Sequence, residues 1–231
     1  MAARIQTLID KRDNRELIRD QIAAILKVES DEQQKLARSQ DKDARLWALR
    51  VFTERADPWA AFADTEQKRV PIISVRADTS TFDKSGSDPV RHQKVETTYQ
   101  IVCFGFGVAE DTDAGHTAAD KMAIVEAERA VRFVRNILMA GPYTYLGFPQ
   151  GKYLPSGQEQ VVWGRWVSGI VSSEPDSPSR PVERVAGIRL DLEVTHSEFS
   201  PQYVPTTLDI LALTLTRTPE GEWLSAEYAA P

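Results

Sequence analysis

The chain of 231 residues has one cysteine, three histidines and no apolar run long enough to cross a bilayer. Each scarcity removes a class of protein. A single thiol, Cys103, excludes an internal disulfide framework and any zinc site built from cysteines. The longest mainly apolar stretch, Ile101 to Ala109, is about half a membrane span. The opening residues, MAARIQTLIDKRDN, lack the apolar region of a secretory signal, so a reducing cytoplasm is the expected compartment. Basic residues are few: 28 Lys+Arg stand against 34 Asp+Glu, a net charge of -6. That is the wrong sign for a surface built to grip phosphates. What is present is 42% hydrophobic and 27% charged, the composition of a folded soluble protein. The length suits one domain, or one domain with sizeable extensions.

Periodicity supplies the elements. Leu17, Ile18, Ile22, Ile25 and Leu26 recur at helical spacing, and Asp13 with Glu16 resembles a capping box, which predicts a helix over 14–28. Half of the residues from Ser30 to Arg45 are charged, a pattern expected of a solvated insertion or a charge-laced helix. Val51-Phe52 reads as a short strand, followed by a loop with Trp59 and Phe62 tucked against the body of the protein. Val70–Arg76 is a β-branched strand. Asp78–Asp88 is polar and turn-rich, and joins it to a strand over 90–108 as a long hairpin with a mobile tip. AEDTDAGH reads as a loop. Thr117 and Asp120 form a second capping box, opening a helix with Ala123, Ala127, Ala130, Val131, Val134, Ile137 and Leu138 on one stripe. Strands are expected over 161–172, 185–195 and 208–216, with a loosely held tail after them. The order predicts an α+β protein of two layers: a mainly antiparallel sheet with two amphipathic helices on one face and a long extended hairpin.

Chemistry is harder to find. Glu110, Asp111, Asp113, His116 and Asp120 bunch together, but the calcium-loop pattern fails: its fifth position is Gly115 and its twelfth is Met122. Acidic residues there more simply offset a helix dipole. Gly105-Phe106-Gly107 lacks the third glycine of a nucleotide fingerprint, and glycines in an aromatic strand mark a bulge or a close backbone contact. No G-x-S-x-G elbow occurs, and Cys103 sits in an apolar strand as a small hydrophobe. Asp191 and Glu193, two apart, suit the solvent face of a sheet. Trp163 and Trp166 fall on opposite faces by parity, so at least one is exposed unless a partner covers it; burial of both in the core is the competing explanation. Arg165, Arg180, Arg184 and Arg189 flank them, and exposed Trp and Arg anchor protein interfaces.

This succession resembles the tail-terminator proteins of long-tailed bacteriophages, lambda-like and Mu-like. The likeness runs through RELIRDQIAAIL, then RVF and TERADPW, then VPIISV, a polar hairpin, TYQIVCFGF, an Asp-rich loop and DKMAIVEAERAVRFVRNIL, closed by two strands. It spans roughly residues 14–196, within a domain set at 1–196. The charged insertion 30–45 and the extension 197–231 have no counterpart in small family members. The resemblance implies a virion protein, made in the host cytoplasm, that forms a hexameric ring on the head-proximal end of the tail tube. There it stops tube polymerisation and presents a surface to the head–tail connector. Its partners are other copies of itself, the tube protein and the connector; DNA passes through the lumen without specific binding. It implies no catalysis, cofactor, metal or membrane. Candidate interface residues are Phe82, Lys84, Arg91 and His92 on the hairpin, and Trp163, Arg165, Trp166 and Arg189 on the strand pair; an ordinary loop is the alternative for the hairpin tip. Rival expectations are another neck or tail-completion protein, a small metal-dependent hydrolase using 110–120, and a monomeric ligand-binding domain.

Overall fold

A computed structural model describes residues 11–54, 62, 70–88, 92–112, 115–150, 160–172 and 183–199. Helix α1 (Asn14–Ser39) leads into a 3-10 turn at Ala44–Trp47. Then come β1 (Arg50–Thr53), β2 (Ile72–Asp88), β3 (His92–Val108), a small hairpin of β4 (Glu110–Thr112) and β5 (Gly115–Thr117), helix α2 (Ala119–Leu138), β6 (Val162–Ser172) and β7 (Glu183–Phe199). Five strands form one sheet in the order β1-β2-β3-β7-β6. Only β1–β2 is parallel; the other pairings are antiparallel. The expected α+β class, a mainly antiparallel sheet with two helices, is what the chain adopts.

Both helices lie on one face. Ile18, Ile22, Ile25 and Leu26 of α1 and the alanine-rich stripe of α2 pack on Ile73, Val75, Tyr99, Ile101, Cys103, Ile188, Leu190, Leu192 and Val194. These sheet residues share a face by register: Ile73 pairs with Cys103, and Cys103 with Ile188. Burial pushes the Cys103 thiol pKa far up, so it serves as a small hydrophobe. Gly105 and Gly107 continue this face under α2. A Cβ on Gly105 would lie 2.2 Å from the Ala123 carbonyl oxygen, and one on Gly107 2.0 Å from that of Ala119. The two glycines therefore let strand and helix backbones touch, the close contact expected of them.

Several boundaries differ from expectation. The charged stretch does not leave the helix at residue 28. It continues α1 to Ser39, with Lys35 paired to Glu32 one turn away. The helix then stops in a Schellman motif: Asp41 takes φ 54°, Asp41 N–H bonds Arg38 O, and Lys42 N–H bonds Ala37 O. Neither capping box forms. Asp13 and Ala118 are the N-caps, and neither gives a side-chain cap bond. At α2 the reason is pairing: Thr117 is drawn into β5 opposite Glu110, so 110–117 is a hairpin and not a loop. At α1 the cap comes from far along the chain. Glu198 Oε2 and Oε1 accept the amides of Asn14 and Arg15 at 2.8 and 2.7 Å, and Asn14 Nδ2 donates to Ser197 O. Burial pushes the Glu198 carboxyl pKa up, and the two helix amides pull it back.

The polar segment 78–88 is strand, not turn. It pairs with β3 through two irregularities, between Ala77 and Ser80 and between Asp83 and Asp88. Cross-strand bonds such as Ser80 Oγ to Thr97 Oγ1 at 2.8 Å outweigh its turn-prone composition. β7 runs on to Phe199, past the expected boundary at 196. The expected strand 208–216, the tail after it and Trp59 lie outside the described residues. Phe62 is buried and stacks on Phe106 with ring centroids 5.3 Å apart, on the face opposite the helices.

A candidate interface opposite the helices

The face turned away from the helices carries Arg76, Gln100, Asp191, Glu193 and Thr195 on successive paired strands. Near the start of β6 this face forms a recess of about 440 Å³, lined by His92, Lys94, Trp163, Gly164, Trp166, Thr195 and Ser197. Register explains the convergence. Lys94 faces Ser197 and Glu96 faces Thr195 across β3–β7, which puts alternate residues of both strands on this side.

The two tryptophans do not obey simple parity. The β6–β7 register slips between Val162 and Gly164, which reverses the alternation between the two indoles. Both consequently stand on the face opposite the helices, 51% and 40% exposed. This corrects the expected split between faces and removes core burial of both. Each indole is oriented by a hydrogen bond: Trp163 Nε1 donates to Ser197 Oγ at 2.9 Å, and Trp166 Nε1 donates to Glu193 Oε2. Their ring faces are left to form the walls. Lys94 Nζ reaches Asp83 Oδ2 at 3.4 Å, and the His92 ring meets Phe199 edge-on at 6.4 Å.

The other candidates scatter. Phe82 is 56% exposed on β2, and Lys84 is exposed beside it; neither lines the recess. Arg165 turns away, donating to Tyr143 O at 2.7 Å and Ala140 O at 2.8 Å, where it satisfies carbonyls after α2. Arg189 bonds Asp191 two residues along the strand at 3.2 Å. Arg91 lies outside the described residues. Lys94, Thr195 and Ser197 were missed by sequence reasoning. The parity of β3 places Lys94 beside His92, but the β7 partners needed the register.

The acidic cluster does not gather. Asp111 Oδ1 and His116 Nδ1 meet at 2.7 Å across the β4–β5 hairpin, both well exposed. Among the described residues no three His, Cys, Asp or Glu side chains could share a metal. A second polar chain runs from Ser80 through Thr97 to His196, where Thr97 Oγ1 and His196 Nε2 are 2.8 Å apart. Thr97 and His196 are fully buried, and His196 Nδ1 is 3.7 Å from the carboxylate that caps α1. These groups tie β3 and β7 to the start of the helix.

Fold and site thus define a two-layer α+β protein with one face armoured by helices and the other bearing an aromatic recess. No protein-family model matches the chain, and no curated protein matches it. Among the described residues, no helix is long and apolar enough to cross a membrane.

Proposed function

We propose that this chain is a structural virion protein, a tail terminator that closes into a ring on the head-proximal end of a phage tail tube. The observation that carries the reading is the recess. Two exposed tryptophans, a lysine and a histidine converge on the face opposite the helices, the residue types and placement of an interface anchor. A ring needs two different patches on each subunit, joined by a rotation that closes. The second patch is the outer stretch of β2. From Asp78 to Asp88 it has β3 on one side and no described strand on the other, and it carries Phe82 and Lys84. Phe82 of one copy enters the tryptophan recess of the next. Such a protein acts by shape, blocking further tube growth and offering the connector a surface, and makes or breaks no bond. Its net charge of -6 suits a lumen through which DNA slides.

Electron microscopy of the purified protein, alone and with tube ends, tests the reading. Six-fold rings are expected. Deletion of the chain from its phage should give tubes of uncontrolled length or tails that fail to join heads. Normal tails in the deletion would refute the assignment, as would a subunit that stays single in the presence of tubes. Asp111→Ala should leave ring assembly intact; loss of an activity that a divalent metal restores would favour the hydrolase instead.

A further inference from the structure

Three consecutive residues near the end of β7 hold three different parts of the protein. Their side chains alternate between the two faces of the sheet. His196 Nε2 meets Thr97 Oγ1 of β3 at 2.8 Å on the helix side. Glu198, on that same side, accepts the amides of Asn14 and Arg15 at 2.8 and 2.7 Å. Ser197 stands between them on the recess side, where its Oγ accepts the Trp163 indole N–H at 2.9 Å. The Ser197 backbone is engaged as well. Its N–H donates to Val161 O at 2.9 Å, and its carbonyl accepts Asn14 Nδ2. Asn14 and Ser197 are 3% and 1% exposed, so neither can trade these bonds for water without opening the segment.

A second line runs the same way. Lys11 Nζ lies 5.4 Å from the centroid of the Phe199 ring, and His92, another wall of the recess, meets that ring edge-on at 6.4 Å. Two walls of the recess therefore lead back to one short segment, Lys11–Arg15. That segment is fixed in turn by Tyr99, whose hydroxyl donates to Arg15 O at 2.9 Å. Bonds that share a residue are coupled, and the coupling acts equally in both directions. We infer that the start of α1 is a latch on the recess: Asn14 and Glu198 are positioning residues that hold Ser197, and through it the Trp163 wall, in the form that takes up a neighbour. The consequence for assembly rests on the terminator reading; the coupling itself belongs to the single subunit.

Nitrogen-15 NMR of the dilute full chain tests the latch, with the Trp163 indole signal assigned by its loss in Trp163→Phe. In Asn14→Ala the exchange of the Trp163 indole N–H with water should rise about tenfold, the effect of one buried hydrogen bond. The Trp166 indole, bonded to Glu193, should not move. Glu198→Gln, which keeps an acceptor for the helix amides, should shift the Trp163 signal less and in the same direction; it carries the test if Asn14→Ala does not fold. In the reverse sense, Trp163→Phe should speed exchange of the Asn14 and Arg15 amides and leave those of α2 alone. A Trp163 indole unmoved by both helix-start variants would overturn the inference. So would equal changes at Trp163 and Trp166, which would mark general loosening. Rings formed by the native chain together with an unmoved indole would sink the latch and leave the terminator reading standing. A moved indole in a chain that forms no rings would do the opposite.

Discussion

At the scale of single residues, the tightest constraints are where a side chain is missing or buried. Gly105 and Gly107 sit against carbonyl oxygens of α2, and a methyl group on either has nowhere to go. Gly105→Ala and Gly107→Ala should each cost about 3 kcal/mol, the upper end for overpacking, as read by urea denaturation. His196 is the second case. Burial holds its pKa down at about 4, against 6.5 for the free side chain. Between those values the unfolded chain takes up a proton that the folded one refuses, so stability falls as pH drops from about 6.5 to about 4. The full loss is about 3 kcal/mol. His196→Gln should flatten that slope in denaturation midpoints taken across the window, and comparison with His196→Gln in a Glu198→Gln background separates it from the opposite shift of the Glu198 carboxyl 3.7 Å away. The glycine contact was legible in the sequence, because Gly105 and Gly107 share one face of an apolar strand. The burial of His196 was not, because it depends on which strand lies beside β7.

At the scale of elements, the start of α1 shows how far a cap can come from. Asp13 and Glu16 have the right spacing for a local box, yet Glu198, 184 residues beyond Asn14, accepts both leading amides. The reason is geometric: β7 brings a carboxylate to the helix axis, and Asp13 keeps an extended backbone with its side chain turned to Arg15, 3.5 Å away, instead of capping. Glu198→Gln should lower stability by about 1 kcal/mol, measured by chemical denaturation, while Asp13→Ala should change little. The two helices, including the stripe of α2, and the apolar stretches of the main strands were readable from periodicity; the polar strand 78–88 and the hairpin 110–117 were not. Nor were the ends of the elements. Charged residues 30–39 extend a helix because Ala37 and Ser30 are buried, and polar residues 78–88 stay extended because β3 supplies their partners. The recess was half legible: Trp163, Trp166 and His92 are conspicuous by type, but their meeting requires a register slip in β6 that no composition announces.

At the scale of the whole molecule, the proposed ring rests on the asymmetry of the sheet. The helices shield one side, and interface-forming types collect on the other and along the outer stretch of β2. If Phe82 of one subunit fills the recess of the next, Phe82→Ser and the pair Trp163→Ala, Trp166→Ala should each abolish rings in micrographs. Both should leave the melting temperature of the subunit unchanged, because these side chains are exposed. Arg165→Ala should do the reverse, lowering the melting temperature through the carbonyls it leaves unpaired and leaving ring contacts alone.

The direct seating of α2 on β3 has a mechanical consequence. Where two backbones touch with no intervening side chains, nothing soft is left to absorb a displacement, and dense interiors pass strain on. β3 is also the strand that carries His92 and Lys94 at its far end. In the proposed ring, a load applied at that end by a neighbour would therefore be felt along the strand by the helix, as by two rods riveted together at one point.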